Sequence, residues 1–132
     1  MQNNHVIGGE FDVDLQGLQY TRSNNGFLDG VYKYSSGRSA LYYILLDVQK
    51  LYGITTVYLP DYLCSSVVIA AEKSQMQVVF YNLNDQLEID AEKFPLKNNE
   101  EAAILLINYF GLKNLHPQIE LVRSISKEAI LI

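Results

Sequence analysis

The sequence predicts a three-layer α/β/α fold in which a mainly parallel sheet lies between two layers of helices. Helical and strand patterns alternate from residue 36 onward and are joined by short connections, which is typical of parallel strands linked by covering helices. The segment at residues 102–107 is apolar without alternation, as a central strand covered on both faces requires. With 132 residues, of which 48% are hydrophobic and 19% charged, the chain is long enough to bury a core.

Residues 1–35 are predicted to form an N-terminal arm with short extended segments. Phe11, Val13 and Leu15 alternate with aspartates, and this period of two indicates a short half-buried strand. The Ser-Asn-Asn-Gly sequence at residues 23–26 favours a turn, because asparagine and glycine tolerate a positive φ. A second extended piece follows, and the partial α/β domain then comprises residues 36–132.

The most regular helical pattern begins after Ser36 and ends before Gly53, a residue typical of helix C-termini. Its apolar positions recur at the spacing of three and four that forms one helix face. These positions are Leu41, Ile44, Leu45, Val48 and Leu51. This segment is the first helix of the predicted domain.

A strand and a helix are predicted next. The apolar run at residues 57–59 indicates a strand that ends at Pro60, because proline has no N–H to donate within a sheet. A helix over residues 67–71 follows. Either Asp61 or Ser65 is expected to cap it, since both residue types are preferred at the N-cap.

The second half of the chain continues the alternation. Residues 78–81 predict another buried strand, and Asp90 is expected to cap a single helical turn at residues 89–94. After the central strand, Pro117 marks a helix start, and residues 129–132 predict a last strand. The apolar positions of that last helix recur at a period of three and are expected to face inward. They are Ile119, Val122 and Ile125.

The turn before the first helix is a candidate anion site. The N–H groups at a helix start lack intrahelical partners and carry a partial positive charge, so a phosphate can bind there. Gly37 would allow a close approach, Ser36 or Ser39 can cap, and the Arg38 guanidinium can grip an anion. An ordinary capped helix with an exposed arginine explains the same residues. The spacing alone does not decide between the two interpretations.

Polar loops leave three predicted strands at the edge where ligands collect in parallel sheets, beyond the carboxyl ends of the strands. These loops span residues 60–66, 82–86 and 108–114, and together with the turn they are expected to build one pocket. Asp61 and Asn108 are candidate polar groups of that pocket, although satisfied loop residues are equally expected there. Cys64 follows in the first loop as a small buried or pocket-lining residue rather than a nucleophile, because no histidine or second cysteine stands near it.

Several functional classes are disfavoured by composition and motifs. The net charge of −5 and the absence of a run of basic residues argue against nucleic acid as a partner. No stretch is long enough to span a membrane, no signal peptide is present, and the lone cysteine fits a reducing compartment, so a cytoplasmic location is expected. His5 and His116 lack the neighbours of a metal site, and the motifs of serine hydrolases, nucleotide triphosphatases and dinucleotide-binding enzymes are missing.

The order and spacing of five segments resemble the N-terminal part of DegT/StrS-type aminotransferases, which are fold-type I pyridoxal-phosphate enzymes acting on nucleotide-linked keto sugars. The resemblance covers nearly all of the chain and implies part of the large cofactor-binding domain of such enzymes. The segments are residues 7–11 (Ile-Gly-Gly-Glu-Phe), 36–41 (Ser-Gly-Arg-Ser-Ala-Leu), 57–64 (Val-Tyr-Leu-Pro-Asp-Tyr-Leu-Cys), 78–81 (Val-Val-Phe-Tyr) and 107–111 (Ile-Asn-Tyr-Phe-Gly).

The resemblance implies a cofactor-binding role for six residues: Gly37, Arg38, Ser39, Tyr62, Cys64 and Asn108. The first three match the positions that hold the phosphate of pyridoxal phosphate. Cys64 falls where the family has an aromatic residue that stacks on the pyridine ring, with Tyr62 nearby. Asn108 stands where the family often has histidine. Cys64 and Asn108 both depart from the family pattern. A cysteine cannot stack on the pyridine ring as an aromatic side chain does.

In the family, the acidic residue that pairs with the pyridine nitrogen and the lysine that binds the cofactor follow the strand matching residues 129–132. The resemblance therefore implies an N-terminal fragment that is inactive by itself. The intact enzyme is expected to be a homo-oligomer that transfers an amino group, from a donor such as glutamate, to a keto sugar in polysaccharide synthesis. Unpaired edges beside the last strand are expected to favour self-association. The alternative is a stand-alone, non-catalytic α/β module that binds a phosphate-bearing ligand or a protein partner.

Overall fold

Four parallel strands form one sheet in the computed structural model, which describes residues 32–132. In chain order the elements are α1 (Gly37–Tyr52), β1 (Thr56–Pro60), α2 (Ser65–Lys73), β2 (Gln77–Tyr81), β3 (Ala103–Ile104), α3 (His116–Ile125) and β4 (Ile130–Leu131). The strands lie in the order β2-β1-β3-β4, and each neighbouring pair is parallel. The predicted α/β alternation is confirmed. The arm strand near Phe11 and the turn at residues 23–26 lie outside the described residues.

Two core clusters cover the two faces of the sheet. Successive strand residues alternate between faces, so Val57 and Leu59 pack in one cluster whereas Tyr58 packs in the other. The first cluster contains the buried residues of α1 and α2, and the second contains Val122 of α3. Helices therefore lie on both sides of the sheet, which confirms the three-layer arrangement.

Helix α1 has the ends that the sequence predicts, but its buried face is narrower. The Ser36 hydroxyl accepts a hydrogen bond from the Ser39 N–H at 3.1 Å. Gly53 adopts the left-handed conformation with φ of 71° and donates its N–H to the Gln49 carbonyl at 2.9 Å. The prediction was wrong for two apolar positions, because Ile44 is 42% and Leu51 69% exposed. The sheet covers only one stripe of the helix, and both residues lie beside it.

The expected cap of α2 is absent. Cys64 occupies the N-cap position, and no side chain accepts a capping hydrogen bond there. The Asp61 carboxylate instead accepts hydrogen bonds from the Asn82 Nδ2 at 2.9 Å and from the Leu83 N–H at 3.3 Å. Ser65 lies inside the helix as its first residue. Asp61 therefore joins the loop after β1 to the loop after β2, a contact between segments distant in sequence.

A single turn forms at the predicted place and is closed by the hydrogen bond from the Lys93 N–H to the Asp90 carbonyl at 3.1 Å. The Asp90 carboxylate caps it, as expected, by accepting hydrogen bonds from the Glu92 N–H at 3.2 Å and from the Lys93 Nζ at 2.9 Å, but the turn does not continue into a helix. The neighbouring backbone forms an isolated antiparallel bridge between Leu83 and Ile89. These local bonds stabilise a turn rather than a helix.

The central strand lies between β1 and β4, as its unbroken apolar sequence predicts. The pairing extends past β3, because the Leu105 N–H donates to the Tyr58 carbonyl and the Leu106 N–H to the Ile132 carbonyl, both at 3.0 Å. Strand β2, which was expected to be buried, lies at the edge of the described sheet, and its Phe80 is 50% exposed.

Helix α3 begins at His116 with Pro117 in its first turn. Val122 is fully buried on its inner face. Ile119 and Ile125, the other apolar positions expected to face inward, are half-buried.

Candidate site at the carboxyl edge of the sheet

The starts of α1 and α2 lie at the same edge of the sheet as the carboxyl ends of the strands. Helix α1 ends at Tyr52, shortly before β1 begins, and α2 starts at Ser65, shortly after β1 ends. Both helices therefore run opposite to β1, which places their N-termini at its carboxyl end. The loops after the parallel strands β1 and β3 leave from this edge as well.

A cleft of about 500 Å³ opens between the loop after β1 and the loop after β3. Its lining is predominantly apolar and aromatic. The lining residues are Tyr62, Leu63, Cys64, Val67, Ile107, Tyr109 and Phe110. The Tyr109 hydroxyl donates a hydrogen bond to the Tyr62 carbonyl, and the two rings lie with their centroids 5.8 Å apart. The hydrogen bond joins the two loops, and we refer to the space between them as the strand-end cleft.

Cys64 presents an exposed thiol to this cleft. The Ser66 hydroxyl donates a hydrogen bond to the Cys64 Sγ at 3.2 Å. This bond and the Ser66 backbone N–H lower the pKa of the Cys64 thiol, and Ser65 and the positive charge of Arg38 act in the same direction. Burial acts in the opposite direction and ranks after the two Ser66 hydrogen bonds but ahead of Ser65 and Arg38. The helix start therefore favours the thiolate.

Asn108 lies beside the strand-end cleft, and its side chain bonds to its own loop. Its Oδ1 accepts a hydrogen bond from the Lys113 N–H at 3.2 Å. The loop between them bends sharply, with φ of 61° at Phe110 and 66° at Gly111. The carboxamide thus shapes the loop that carries Tyr109 into the cleft.

The residues at the start of α1 lie at a second groove, between α1 and α2. Its lining residues are Arg38, Ser39, Tyr42, Tyr43, Ala70 and Lys73. Within residues 32–132, neither Arg38 nor Lys73 forms an ion pair with a carboxylate. Among residues 32–132, no atom lies within 4 Å of a Cβ placed on Gly37.

The structure thus divides the six candidate residues between neighbouring places. Tyr62 and Cys64 share the strand-end cleft, whereas Arg38 and Ser39 line the groove between the helices. Gly37 and Asn108 precede the lining residues Arg38 and Tyr109 in sequence and do not line either space themselves.

The sequence placed the loop at residues 108–114 in the expected pocket but named only Asn108 from it, whereas Ile107, Tyr109 and Phe110 form one wall of the cleft. Side chains that follow a parallel strand lie at the ligand edge, which is why the position of this loop was predictable. The described part of the chain holds no group of His, Cys, Asp or Glu side chains arranged around a metal position. None of the helices within residues 32–132 has both the length and the apolar character of a membrane-spanning segment.

The fold of this chain is similar to that of a solved aromatic amino acid aminotransferase from Burkholderia cenocepacia J2315. The TM-score is 0.52, and the sequences are 16% identical over 72% of this chain. The match covers 27% of the other chain, so this chain spans about a quarter of the length of the structure it matches. At this identity the similarity extends to the fold alone. No protein-family model matches the chain, and no curated protein matches it.

Proposed function

We propose that this chain is the N-terminal part of a pyridoxal-phosphate-dependent aminotransferase of the DegT/StrS type. The observation that supports this most directly is the convergence of three segments at one edge of the sheet. Arg38 lies at the start of α1, Cys64 lies at the start of α2, and Cys64 shares a cleft with Tyr109 after β3. To bind a planar cofactor that carries a phosphate, such an edge must provide hydrogen-bond donors for the phosphate, a surface that packs against the ring, and a polar side chain near the ring substituents.

The start of α1 suits the phosphate. The N–H groups of Gly37 and Arg38 precede the first intrahelical hydrogen bond, which runs from the Ala40 N–H to the Ser36 carbonyl at 3.0 Å. Within the described part of the chain these two donors have no hydrogen-bond partner, and no atom lies within 4 Å of a Cβ placed on Gly37. The Arg38 guanidinium adds charge, and the Ser39 hydroxyl, 3.0 Å from the Ser36 hydroxyl, can turn to donate. These residues fit a phosphate ester.

The strand-end cleft suits the pyridine ring. Tyr62 and Cys64 provide one wall, and Tyr109 provides the opposite wall. Cys64 offers a small polarisable surface where the family has an aromatic ring, so the ring of the cofactor would be held by the cleft as a whole. Asn108 would orient polar ring substituents from beside the cleft. When bound, pyridoxal phosphate supplies the electron sink for the chemistry at an amino-bearing carbon.

The substrate assignment rests on the resemblance of the sequence segments. It names a nucleotide-linked keto sugar as acceptor, a donor such as glutamate, and a homo-oligomeric cytoplasmic enzyme. The solved structure of similar fold is an aromatic amino acid aminotransferase. We expect the protein to which this chain is proposed to belong to transfer an amino group faster to a nucleotide-linked keto sugar than to an aromatic 2-oxo acid. The reverse preference would reject the sugar assignment and leave the aminotransferase proposal in place.

The proposed cofactor role can be tested on the chain itself with pyridoxine 5′-phosphate. This compound keeps the ring and phosphate of the cofactor but lacks the aldehyde, so it cannot react with surface lysines. We expect saturable binding, followed by tyrosine fluorescence or calorimetry, that is at least about tenfold tighter than binding of pyridoxine without phosphate. Arg38→Gln and Gly37→Val should each weaken it, the first by removing a cation and the second by filling the space above the turn.

A matched control separates the phosphate grip from a general loss of positive charge. Lys50 lies in the last turn of α1, at the opposite end of the helix, and Lys50→Gln removes the same charge. It should leave binding of the phosphate compound unchanged. Equal affinity for the compounds with and without phosphate, or equal losses in the Arg38 and Lys50 variants, would reject the cofactor site. Binding of inorganic phosphate alone, without a preference for the ring, would support the alternative of a non-catalytic phosphate-binding module.

A further inference from the structure

We infer that a small pocket at Gln118 is a binding subsite for an acetamido group carried by a neutral ligand such as a sugar. The pocket has a volume of about 80 Å³ and lies between α3 and the loops after β2 and β3. Its walls are mostly apolar and are formed by Leu87, Ile107, Tyr109, Phe110 and Leu112. We refer to this space as the Gln118 pocket. The inference does not depend on the proposed cofactor function.

Gln118 provides a buried hydrogen-bond donor at this pocket. The residue is 8% exposed, and its Oε1 accepts a hydrogen bond from the Ile89 N–H at 3.4 Å. Its Nε2 forms no hydrogen bond with another residue of the described part of the chain, where no fully buried side-chain nitrogen or oxygen lacks a partner. The Nε2 therefore reaches accessible space. The Gln118 pocket is the space that this side chain lines, so the open donor belongs to the pocket.

The charges around the pocket favour an uncharged group. Lys113 is the only charged residue among those that line it, and its Nζ lies 3.0 Å from the Glu88 Oε1. The carboxylate offsets the charge of the ammonium group, so a phosphate or carboxylate in the pocket would lack a free cation as its partner. Gln86, the remaining polar residue of the lining, is neutral and exposed.

An acetamido group matches the pocket in polarity and in size. Its carbonyl oxygen can accept from the Gln118 Nε2, and its methyl group can pack against the apolar walls. A wholly apolar group would remove the Nε2 from water without giving it an acceptor, which is unfavourable. The volume of about 80 Å³ is less than three times the roughly 30 Å³ that a water molecule takes in the liquid, so a group of about four non-hydrogen atoms fills it. Phe110 and Leu112 are exposed, so the rest of the ligand can remain outside.

The test is a titration of the full chain with N-acetylglucosamine and with glucose, which carries a hydroxyl in place of the acetamido group. Binding is followed by the nuclear magnetic resonance signals of the Gln118 side-chain amide, whose hydrogens would bond to the ligand carbonyl. We expect saturable binding of N-acetylglucosamine, at least about tenfold tighter than binding of glucose, together with a shift of these signals. Absent binding, equal affinity for the two sugars, or Gln118 signals that stay in place at saturation would each overturn the inference.

Two variants of Gln118 test the donor itself. Gln118→Glu keeps an oxygen that can accept from the Ile89 N–H but replaces the Nε2 by a second carboxylate oxygen, which repels a carbonyl. Gln118→Met removes the donor without adding charge. Each should weaken binding of N-acetylglucosamine at least about tenfold at pH 8. An affinity in the Met variant equal to that of the parent chain would show that the carboxamide does not recognise the ligand.

Gln49→Glu is the matched control. It makes the same substitution on α1, where the Gln49 Nε2 donates to the Ser74 carbonyl at 3.0 Å, and Gln49 does not line the Gln118 pocket. It should leave binding of N-acetylglucosamine unchanged, and equal losses in the Gln49 and Gln118 variants would overturn the inference. Because Gln118 does not line the strand-end cleft, Gln118→Met should leave binding of pyridoxine 5′-phosphate unchanged, so the two proposals fail separately.

Discussion

The Tyr109 hydroxyl donates a hydrogen bond to the backbone carbonyl of Tyr62 and thereby joins the loops after two neighbouring strands. The two residues are 47 positions apart in sequence. Burial of the phenol, followed by the negative charge of Asp61 and the proximity of Tyr62, raises the pKa of Tyr109. The hydroxyl therefore remains a donor across the whole physiological range. The width of the strand-end cleft depends on this contact.

Tyr109→Phe should loosen the cleft while keeping its aromatic wall. Loss of one hydrogen bond to an accessible carbonyl is expected to reduce the free energy of unfolding by about 1 kcal/mol. Amide exchange in the loop after β1 should accelerate. Tyr62→Phe is the control. It removes a hydroxyl but keeps the aromatic ring and the backbone carbonyl that accepts the hydrogen bond from Tyr109. If the two variants destabilise the chain equally, as measured by urea denaturation, the hydroxyl of Tyr109 is not the group that holds the loops together.

Cys64 should be more reactive than an ordinary cysteine at neutral pH. Its thiol pKa is lowered first by the Ser66 hydroxyl and backbone N–H, so a larger fraction is thiolate at pH 7. The midpoint of the pH profile of iodoacetamide alkylation should fall below the ordinary thiol value of about 8.5. Ser66→Ala should raise the midpoint and slow alkylation at pH 7 several-fold. Ser124→Ala, on the exposed surface of α3, should change neither, and an unaltered profile for Ser66→Ala would contradict the prediction.

Stability above pH 10 should depend on Tyr58. Its hydroxyl donates to both carboxylate oxygens of Glu100 at 2.9 Å. Burial first, and then this hydrogen bond and the charge of Glu100, raise the pKa of Tyr58 from 10.0 to about 12. A group whose pKa is raised on folding stabilises the folded state fully below its unfolded pKa. This contribution is lost as the pH rises from about 10 to about 12.

Tyr58→Phe should therefore be less stable than the parent by about 1–2 kcal/mol at pH 8, because a hydrogen bond to a carboxylate is lost. The difference in unfolding free energy should narrow between pH 10 and pH 12. Tyr52→Phe serves as the comparison, since Tyr52 is exposed in the last turn of α1. A stability difference that stays constant up to pH 12 would be inconsistent with the Tyr58–Glu100 bond.

The two ends of α1 should respond oppositely to alanine. Gly53→Ala places a Cβ at a left-handed position with φ of 71° and should cost about 1 kcal/mol. Gly37 has no left-handed φ and a side chain there meets no neighbour, so Gly37→Ala should be neutral or slightly stabilising. Chemical denaturation of both variants measures the difference. Equal losses would mean that backbone conformation does not decide the C-terminal cap.

Local patterns were sufficient for the elements whose stability is mostly local. The boundaries of α1 follow from Ser36 and Gly53, because caps act within a few residues of the helix ends. The central position of the strand at residues 102–107 follows from its apolar sequence, because only a strand covered on both faces tolerates such a run. The turn at Gly37 and the loop containing Cys64, which belong to the predicted site, lie at the start of α1 and after β1, and their cofactor role stays a prediction.

The predictions failed where a distant contact competes with a local one. Asp61 is a suitable helix cap in sequence, but Asn82 and Leu83 provide its partners in the folded chain. Ile44 and Leu51 fit an apolar helix face, yet the sheet covers only the neighbouring stripe. Periodicity predicts the direction in which a side chain points from its helix. It does not predict how wide a stripe of that helix the neighbouring sheet covers.

The sequence by itself determined that this chain alternates helices with parallel strands and that a helix begins at the Ser36 turn. Both depend on residues close together in the chain, through capping, periodicity and the apolar run of the central strand. The folded chain alone places β2 at the edge of the described sheet and brings the Tyr109 hydroxyl to the Tyr62 carbonyl. These relationships depend on strand order, which is set by contacts across the whole chain and by the entropy of closing the loops between them.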